Sequence, residues 1–283
     1  MEKLTENILT RVITRRPLKS HKGTFGKVLL VAGSAELTGA AILSTMACVY
    51  TGAGLVTLAT ARVNFNAVHT RIPEAMVLDL DQPQQVLKMA TQVDVLAVGP
   101  GLAATAASRN LIQKLILQAQ PQQQLIIDAT AFTLLAEKPQ VLSQCAASVV
   151  LTPHPVEWQR LTGLKINQQT ASANQRALDS FSNDQTILVL KGAPTHLYLS
   201  QRAAIYINTL GTPAMATGGM GDTLTGILAG FTAQFEHHWA TAAAAVYLHS
   251  WLAEQLALTS YVVLPTQVIQ KIPWGMQKFA QRD

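Results

Sequence analysis

Short apolar runs alternate with longer stretches of helical composition along most of the chain. Six of these runs predict buried strands, at residues 28–32, 56–59, 93–98, 125–127, 149–151 and 187–190. Stretches between them predict helices, at residues 40–51, 109–119 and 168–181. This alternation is typical of βα units, so we expect an α/β fold in which helices flank both faces of a mostly parallel central sheet.

The last third of the chain has mainly helical patterns. Just before it, residues 204–208 follow the sixth apolar run closely and predict a hairpin partner for that strand at the sheet edge. Residues 239–258 form a stretch long enough to span a bilayer, but it is rich in alanine and carries His249, Glu254 and Gln255. We therefore expect a buried core helix there and not a membrane segment.

Residues 212–230 combine a glycine-rich turn with an amphipathic helix. Gly218, Gly219 and Gly221 carry no Cβ that would keep an anion from their amides. The helix that follows has the spacing of a core-facing helix, with apolar residues at Leu224, Ile227, Leu228 and Phe231. Free N–H groups at a helix start bind phosphate. Asp222 lies in the first turn, either as an ordinary acid opposite the helix dipole or as a catalytic group.

Polar or glycine-rich turns follow five of the predicted strands. Because ligands of open α/β sheets bind outside the carboxyl ends of the strands, we expect these turns to converge on one cleft. The turns are Gly33-Ser34, Gly99-Pro100-Gly101, Asp128, Thr152-Pro153-His154 and Lys191-Gly192.

Composition supports a large apolar core. Hydrophobic residues make up 49% and charged residues 13% of the 283 positions. The length allows two domains, but no linker or repeat divides the chain, so we expect a single domain over residues 1–283. No apolar segment typical of a signal peptide follows the basic N-terminal residues. We expect a globular, cytoplasmic protein.

Charge and chemistry narrow the choice of partner. The net charge of +5 comes without a nucleic-acid-binding motif and without aromatic residues between the basic ones, which favours an anionic small molecule over nucleic acid. Cys48 and Cys145 lack metal-ligand spacing, so we expect both to be buried. His237 and His238 are adjacent, would point apart on a helix, and have no carboxylate to complete a ligand set. We expect no metal ion held by the protein itself.

Seven short motifs follow one another between about residue 22 and residue 273. They are Lys22-Gly23-Thr24-Phe25-Gly26, Gly39-Ala40-Ala41, Gly52-Ala53-Gly54-Leu55-Val56, Val98-Gly99-Pro100-Gly101-Leu102, Leu151-Thr152-Pro153-His154-Pro155 with Glu157, Leu190-Lys191-Gly192-Ala193, and Ala216-Thr217-Gly218-Gly219 with Gly221-Asp222. In this order and spacing, the motifs make the chain similar to the ADP/ATP-dependent NAD(P)H-hydrate dehydratases, which have a ribokinase-like fold.

The resemblance implies a lyase that repairs nicotinamide nucleotides. NADH or NADPH hydrated at C6 of the reduced ring is phosphorylated by ADP or ATP, and elimination of phosphate restores the ring. Asp222 would be the catalytic base and would contact the hydrate together with Ala40, Ala41, Gly101 and His154. The adenine nucleotide would contact Lys191, Gly192, Ala193, Pro194, Thr195, Gly218, Gly219 and Gly221. Mg²⁺ would accompany the nucleotide, and the resemblance also implies a homo-oligomer, a tetramer.

Five positions depart from the family pattern. Thr130 replaces an Asp, Met220 replaces a Thr, and glycines are replaced by Ala103, Val156 and Ala214. If the backbone at Val156 needs a positive φ, we expect strain of roughly 1–3 kcal/mol or a rebuilt loop there. Two alternatives therefore stay open: a small-molecule alcohol kinase of the same superfamily, and a nucleotide-binding protein that has lost turnover.

Overall fold

Ten strands form one sheet in the computed structural model, which describes residues 1–202, 204–236 and 239–280. The expectation for His237 and His238 lies outside the described residues. The strands are β1 (Glu2–Lys3), β2 (Lys27–Val31), β3 (Leu55–Thr60), β4 (Met76–Asp79), β5 (Val95–Val98), β6 (Gln124–Ile127), β7 (Ser148–Leu151), β8 (Thr186–Leu190), β9 (Thr195–Leu199) and β10 (Ile205–Asn208). Their order across the sheet is β1-β10-β9-β8-β7-β6-β5-β2-β3-β4.

Seven neighbouring strand pairs are parallel, and β9 is antiparallel to both of its neighbours. The helices are α1 (Asn7–Val12), α2 (Thr38–Thr51), α3 (Phe65–Arg71), α4 (Pro83–Ala90), α5 (Ala106–Gln118), α6 (Thr130–Leu135), α7 (Pro155–Thr162), α8 (Ala171–Phe181), α9 (Met220–Gln234), α10 (Trp239–Ala257) and α11 (Pro265–Phe279). The six strands and three helices predicted from the sequence are all present, with ends shifted by up to three residues. The predicted fold class is confirmed.

Both faces of the sheet are buried, which explains why the central strands are apolar at nearly every position. In β2, Val28 and Leu30 face a core built with α1, α2, α3 and α9–α11. Leu29 and Val31 face a second core built with α4–α8. The free cysteines Cys48 and Cys145 are buried, as expected.

Helix α10 is a core helix, as predicted. Residues 240–253 are all buried, and their small side chains let neighbouring helices approach closely. None of the helices in the described residues is long and apolar enough to cross a membrane. Close approach also governs the contact between α2 and α9, where a Cβ at Gly226 would collide with the Ser44 carbonyl.

The predicted hairpin at the sheet edge is wrong in its pairing. Strand β10 pairs with β9 and not with β8, and β1 lies beyond β10, so β10 is not the edge. The sequence reasoning missed β9 because it assigned Thr195 to a nucleotide-binding loop. In the structure Thr195 is the first residue of β9, and Leu197 and Leu199 point into the core while His196 does not.

Candidate active site at the carboxyl ends of the strands

The turns after the parallel strands lie side by side, as the sequence predicts, because backbone hydrogen bonds continue past the strand ends. The Asp128 amide donates to the Val98 carbonyl at 3.1 Å, and the Lys191 amide donates to the Pro153 carbonyl at 2.9 Å. On the other flank, the Ser34 amide donates to the Gly101 carbonyl at 2.7 Å. A continuous row of loops thus borders the start of α9 and the start of α2.

Asp128 is a buried anchor at the centre of this row. It is 1% exposed. Its Oδ1 accepts hydrogen bonds from Lys191 Nζ at 2.7 Å and from Thr152 Oγ1 at 2.8 Å, and its Oδ2 accepts one from Thr225 Oγ1 at 2.7 Å. Because Thr225 belongs to α9, this carboxylate fixes the first turns of α9 against β6, β7 and β8. The sequence analysis placed Asp128 at the cleft but did not identify this role.

Lys191 supplies the positive charge of the site. Besides Asp128, its ammonium lies 3.9 Å from Glu157 Oε2. Burial acts to lower the pKa of Lys191, but the Asp128, Glu157 and Asp222 carboxylates outweigh burial and raise the pKa above its ordinary value. A Cβ at Gly221 would lie only 3.4 Å from Lys191 Nζ, so the ammonium lies beside the start of α9.

Asp222 is the third carboxylate of the site, after Asp128 and Glu157. Among the described residues, no group donates a hydrogen bond to its side chain, in contrast to Asp128. Burial raises the pKa of Asp222 to about 6, with repulsion from Asp128 and Glu157 adding to the effect and Lys191 opposing it. A carboxylate with this pKa is ionised at neutral pH and is a stronger base than an ordinary aspartate.

The glycine-rich turn presents backbone donors ahead of Asp222. Gly219 precedes α9 with a φ of 96°, and a Cβ there would collide with Leu43, so only glycine fits. The first hydrogen bond of α9 runs from the Thr223 amide to the Gly219 carbonyl at 3.0 Å. The amides from Gly219 to Asp222 therefore precede the bonded turn, in the arrangement that binds anions.

His154 has a structural role at the start of α7. Its Nδ1 accepts hydrogen bonds from the Val156 amide at 3.1 Å and the Glu157 amide at 3.3 Å, and Glu157 Oε2 accepts one from the His154 amide at 2.8 Å. The side chain is thus a helix cap. In the neutral ring this network assigns the proton to Nε2, on a side chain that is 47% exposed. His154 therefore caps α7 and still presents a donor at the surface.

Three residues that the resemblance assigns to the hydrated coenzyme, Ala40, Ala41 and Gly101, lie at or beside the start of α2. Gly101 has a φ of 63°, and a Cβ there would lie 2.8 Å from the Ala40 Cβ, so the loop packs directly on the helix start. Ala40 is partly exposed. Ala41 is fully buried against Gly33, so neither its side chain nor its backbone is accessible to a ligand in this structure, and the predicted contact at Ala41 is not available.

The predicted nucleotide loop connects β8 to β9. Gly192, Ala193 and Pro194 are exposed. Thr195 Oγ1 donates to the Gly192 carbonyl at 3.0 Å, which closes the loop into a tight turn. Lys191, the residue before this turn, lies beside the start of α9.

The strain expected at Val156 is wrong. Val156 is the second residue of α7, follows Pro155 at the helix start, and has no positive φ. Ala103, Ala214 and Met220 likewise have no positive φ. Strain lies instead at Ala129, whose φ of 51° stands between Asp128 and Thr130 at the site.

His249 is a site neighbour that the sequence analysis treated only as a polar residue in a core helix. It is 6% exposed, and within the described residues its Nε2 has no hydrogen-bond partner. Burial, followed by the nearby charge of Lys191, lowers the pKa of His249 to about 4, against a hydrogen bond with the Met220 backbone. The neutral His249 ring thus contacts the backbone of Met220, the first residue of α9.

Comparison with known proteins gives a consistent result. A family model described as NAD(P)H-hydrate dehydratase matches residues 28–274. The ADP-dependent (S)-NAD(P)H-hydrate dehydratase of Lactiplantibacillus plantarum is 42% identical over 281 residues, which cover 99% of each chain. The Enterococcus faecalis protein of the same name is 44% identical over 281 residues, covering 99% of this chain and 94% of the relative.

A solved structure also resembles the fold over its whole length. It is that of an ADP/ATP-dependent NAD(P)H-hydrate dehydratase from Bacillus subtilis, co-crystallised with ATP and Mg²⁺. It matches with a TM-score of 0.84 at 28% identity and covers 98% of both chains.

Proposed function

The chain belongs to the NAD(P)H-hydrate dehydratase family, and from that premise we propose that it dehydrates the S epimer of hydrated NADH or NADPH. ADP or ATP phosphorylates the C6 hydroxyl of the reduced ring, which turns a poor leaving group into a good one. Cleavage of the C6–O bond then releases phosphate, and loss of a proton from C5 to solvent restores the C5=C6 double bond of the ring. The products are the reduced coenzyme, phosphate, and AMP or ADP.

One observation carries this proposal: a carboxylate with a pKa near 6 and no donor among the described residues lies in the first turn of α9, beside a buried ammonium. In the proposed reaction Asp222 accepts the proton of the C6 hydroxyl. General-base assistance of this kind contributes about 10²–10⁴-fold. Because the transition state of phosphoryl transfer is loose, most of the remaining effect comes from positioning.

Lys191 and the glycine-rich turn are the groups that fit the moving phosphoryl group. The amides of Gly218, Gly219 and Gly221 and the Lys191 ammonium are fixed before reaction, so they stabilise negative charge without reorganising, and one such donor contributes about 10²–10³-fold. The exposed turn of Gly192, Ala193, Pro194 and Thr195 contacts the rest of the adenine nucleotide. Ala40, the Gly101 loop and the Nε2 edge of His154 contact the hydrated ring and its ribose phosphate, and the fully buried Ala41 supports Ala40 from behind.

Mg²⁺ enters with the nucleotide and not as a resident ion. Across the described ranges, no group of three or more His, Cys, Asp or Glu side chains could hold a metal. The buried carboxylate of Asp128, which lies close to Lys191 and Asp222, already accepts three hydrogen bonds. The oxygen ligands that Mg²⁺ needs would therefore come mainly from phosphates and water.

The experiment that tests the proposal compares acceptors in one assay. With Mg²⁺ and ADP or ATP, the protein receives either the hydrated coenzymes or a panel of sugar, hydroxymethylpyrimidine and thiazole alcohols. We expect return of the reduced-nicotinamide absorbance with stoichiometric phosphate. A phosphorylated alcohol without coenzyme recovery would assign the chain to the kinases. Nucleotide binding without any product would mean that turnover has been lost.

The proposed activity also implies a cellular compartment and an oligomeric state. The substrates are phosphorylated coenzymes of bacterial metabolism, which supports a cytoplasmic enzyme that works as a single domain. We also expect a homo-oligomer, a tetramer, to be the active form. Light scattering after size exclusion tests this expectation against the 30.4 kDa mass of one chain.

A further inference from the structure

A histidine of α10 lies beside the start of α9 and is not one of the residues assigned to either ligand. His249 is 6% exposed and lies close enough to the Lys191 ammonium for that charge to act on it. We infer that His249 is a positioning residue, which donates a hydrogen bond to the Met220 carbonyl and thereby holds and strengthens the Gly221 amide as a phosphate donor. This inference rests on the proposed function and adds a residue that acts on the anion site without contacting substrate.

The hydrogen bond between His249 and the Met220 backbone has a defined direction. It acts to raise the pKa of His249, so it favours a protonated nitrogen, and the ring is the donor to the Met220 carbonyl. Within the described residues, Nε2 has no hydrogen-bond partner. The donor is therefore Nδ1, and in the neutral ring, which has one N–H, Nε2 is an unpaired acceptor.

The Met220 carbonyl and the Gly221 amide belong to the same peptide group. Its planar, conjugated bond couples the two ends, so a donor on the carbonyl oxygen makes the N–H a stronger donor. Among the described residues, the Gly221 amide donates to no backbone acceptor. Because a Cβ at Gly221 would lie 3.4 Å from Lys191 Nζ, this amide and the ammonium are close enough to bind the same anion.

The hydrogen bond also limits the motion of this peptide group. Glycines flank Met220 on both sides, at positions 219 and 221, and glycine gives a backbone more freedom than any other residue. His249 belongs to a helix that is buried from Ala240 to Ala253 and is therefore held firmly. A bond from this helix fixes the amide before the phosphoryl group arrives, which is what an anion site requires.

Histidine is an unfavourable residue for a purely structural role at this position. An acceptor buried without a partner lowers stability, and Nε2 is such an acceptor in the described part of the chain. An apolar side chain of similar volume would pack in α10 without that loss. A polar group in an apolar helix that lowers stability is typical of a functional site.

Two substitutions separate the roles of the two ring nitrogens. Asn places its side-chain amide on Cγ, as His does Nδ1, whereas Gln places its amide one bond farther out, near Nε2. We expect kcat with hydrated NADH to fall roughly 2–7-fold in His249→Gln, because a donor that contributes about 10²–10³-fold loses about 10–30% of that free energy. The kcat of His249→Asn should be at least about twofold above that of His249→Gln.

A purely structural role predicts the opposite order. Asn leaves the larger gap and is the poorer helix former, so it would then be the more damaging substitution. Denaturation and calorimetry with ADP check the fold and the nucleotide site of both variants. The matched control is His69→Gln, at an exposed position of α3, which should behave as wild type. A kcat for His249→Asn less than twofold above that of His249→Gln would overturn the inference.

The tautomer of His249 gives a second test, which needs no turnover. In protein labelled with ¹⁵N-histidine, ring-nitrogen resonances distinguish protonated from unprotonated nitrogens, and the signals lost in His249→Asn are those of His249. We expect the proton on Nδ1 at neutral pH, and a proton on Nε2 would contradict the inference. Failure of the proposed function looks different, because the wild type would then turn over no hydrate while the tautomer stays as expected.

Discussion

Three carboxylates surround the single ammonium of Lys191, but their hydrogen bonds divide them by role. Asp128 accepts three hydrogen bonds and is buried, so it is a structural anchor. Glu157 accepts one from the His154 amide and completes a helix cap. Asp222 accepts no hydrogen bond from any residue that the structure describes and has the raised pKa, so it is the carboxylate that we propose as the proton acceptor.

The pH dependence of catalysis follows from the pKa of Asp222 near 6. The ionised form accepts the proton, so we expect kcat/KM for the hydrated coenzyme, which reports the free enzyme, to be constant above about pH 7 and to fall tenfold per unit below about pH 6. Burial is the main cause of this raised pKa, and the charges of Asp128, Lys191 and Glu157 modify it. A rate that stays constant down to pH 5 would remove Asp222 from the role of base.

Asp222→Asn tests the same residue in two independent ways. The amide is isosteric but does not accept the proton, so we expect the rate to fall more than tenfold while ADP affinity changes only a few-fold. The second readout is stability. Because the folded pKa lies above the unfolded one, ionisation of Asp222 costs stability as pH rises from about 4 to 6. Above pH 7 the variant should be more stable by about 1–3 kcal/mol.

Chemical denaturation at pH 5 and pH 8 measures this difference, which should be larger at pH 8. If the difference in stability between the variant and the wild type is the same at both pH values, the Asp222 carboxyl titrates near its ordinary pKa. A variant with more than about a tenth of the wild-type rate would contradict the general-base role.

At the scale of the element, the first turn of α9 combines an exposed set of amides with a fixed cation. The turn depends on Gly219, whose φ of 96° ends the incoming loop, and on Thr225, which ties the helix to Asp128. Gly221 has ordinary helical geometry, so its lack of a side chain matters through space and not through backbone conformation.

A graded substitution at Gly221 therefore tests the anion site. A Cβ there lies 3.4 Å from Lys191 Nζ, a distance that a small shift of the lysine accommodates. We expect Gly221→Ala to weaken ADP binding and kcat/KM mildly and Gly221→Val to lower both more than tenfold, because the branched side chain displaces the phosphate and the ammonium. Calorimetry with ADP and steady-state rates measure the two effects. Unchanged values for Gly221→Val would show that phosphate binds elsewhere.

The elements predicted well are those with a local signal. Apolar runs predicted six of the strands that pair in parallel, β2, β3 and β5 to β8, whereas the short edge strands β1 and β4 were not predicted. The glycine-rich turn drew attention to Asp222. Strand β9 was missed because its five residues include polar Thr195 and His196. The start of α7 was also missed, although Pro155 at the first position and Glu157 at the third are typical start signals, because His154 is an unusual N-cap.

At the scale of the whole molecule, the contacts that assemble the site join residues far apart in sequence. Asp128 meets Lys191 63 residues later and Thr225 97 residues later. No periodicity in one sequence indicates such a pairing, since it depends on the order of strands in the sheet. The same limit applies to a cavity of about 640 Å³ over the ends of β2, β3 and β4, whose lining comes from four loops and two helices.

ADP binding should stabilise the whole fold, so the rise in Tm with ADP measures nucleotide binding even in a variant that has no activity. ADP at about 100 times its Kd stabilises the native state by about 2.7 kcal/mol, which corresponds to a rise in Tm of about 5–10 °C. We expect this rise in the wild type and in Asp222→Asn.

Lys191→Met should abolish most of the rise in Tm that ADP causes. The substitution should itself cost about 3–5 kcal/mol of stability because the buried Asp128 carboxylate loses its cation. The matched control is Lys88→Met, at an exposed position of α4, which should behave as wild type. A full ADP shift in a folded Lys191→Met variant would show that the ammonium anchors the structure without contacting the nucleotide.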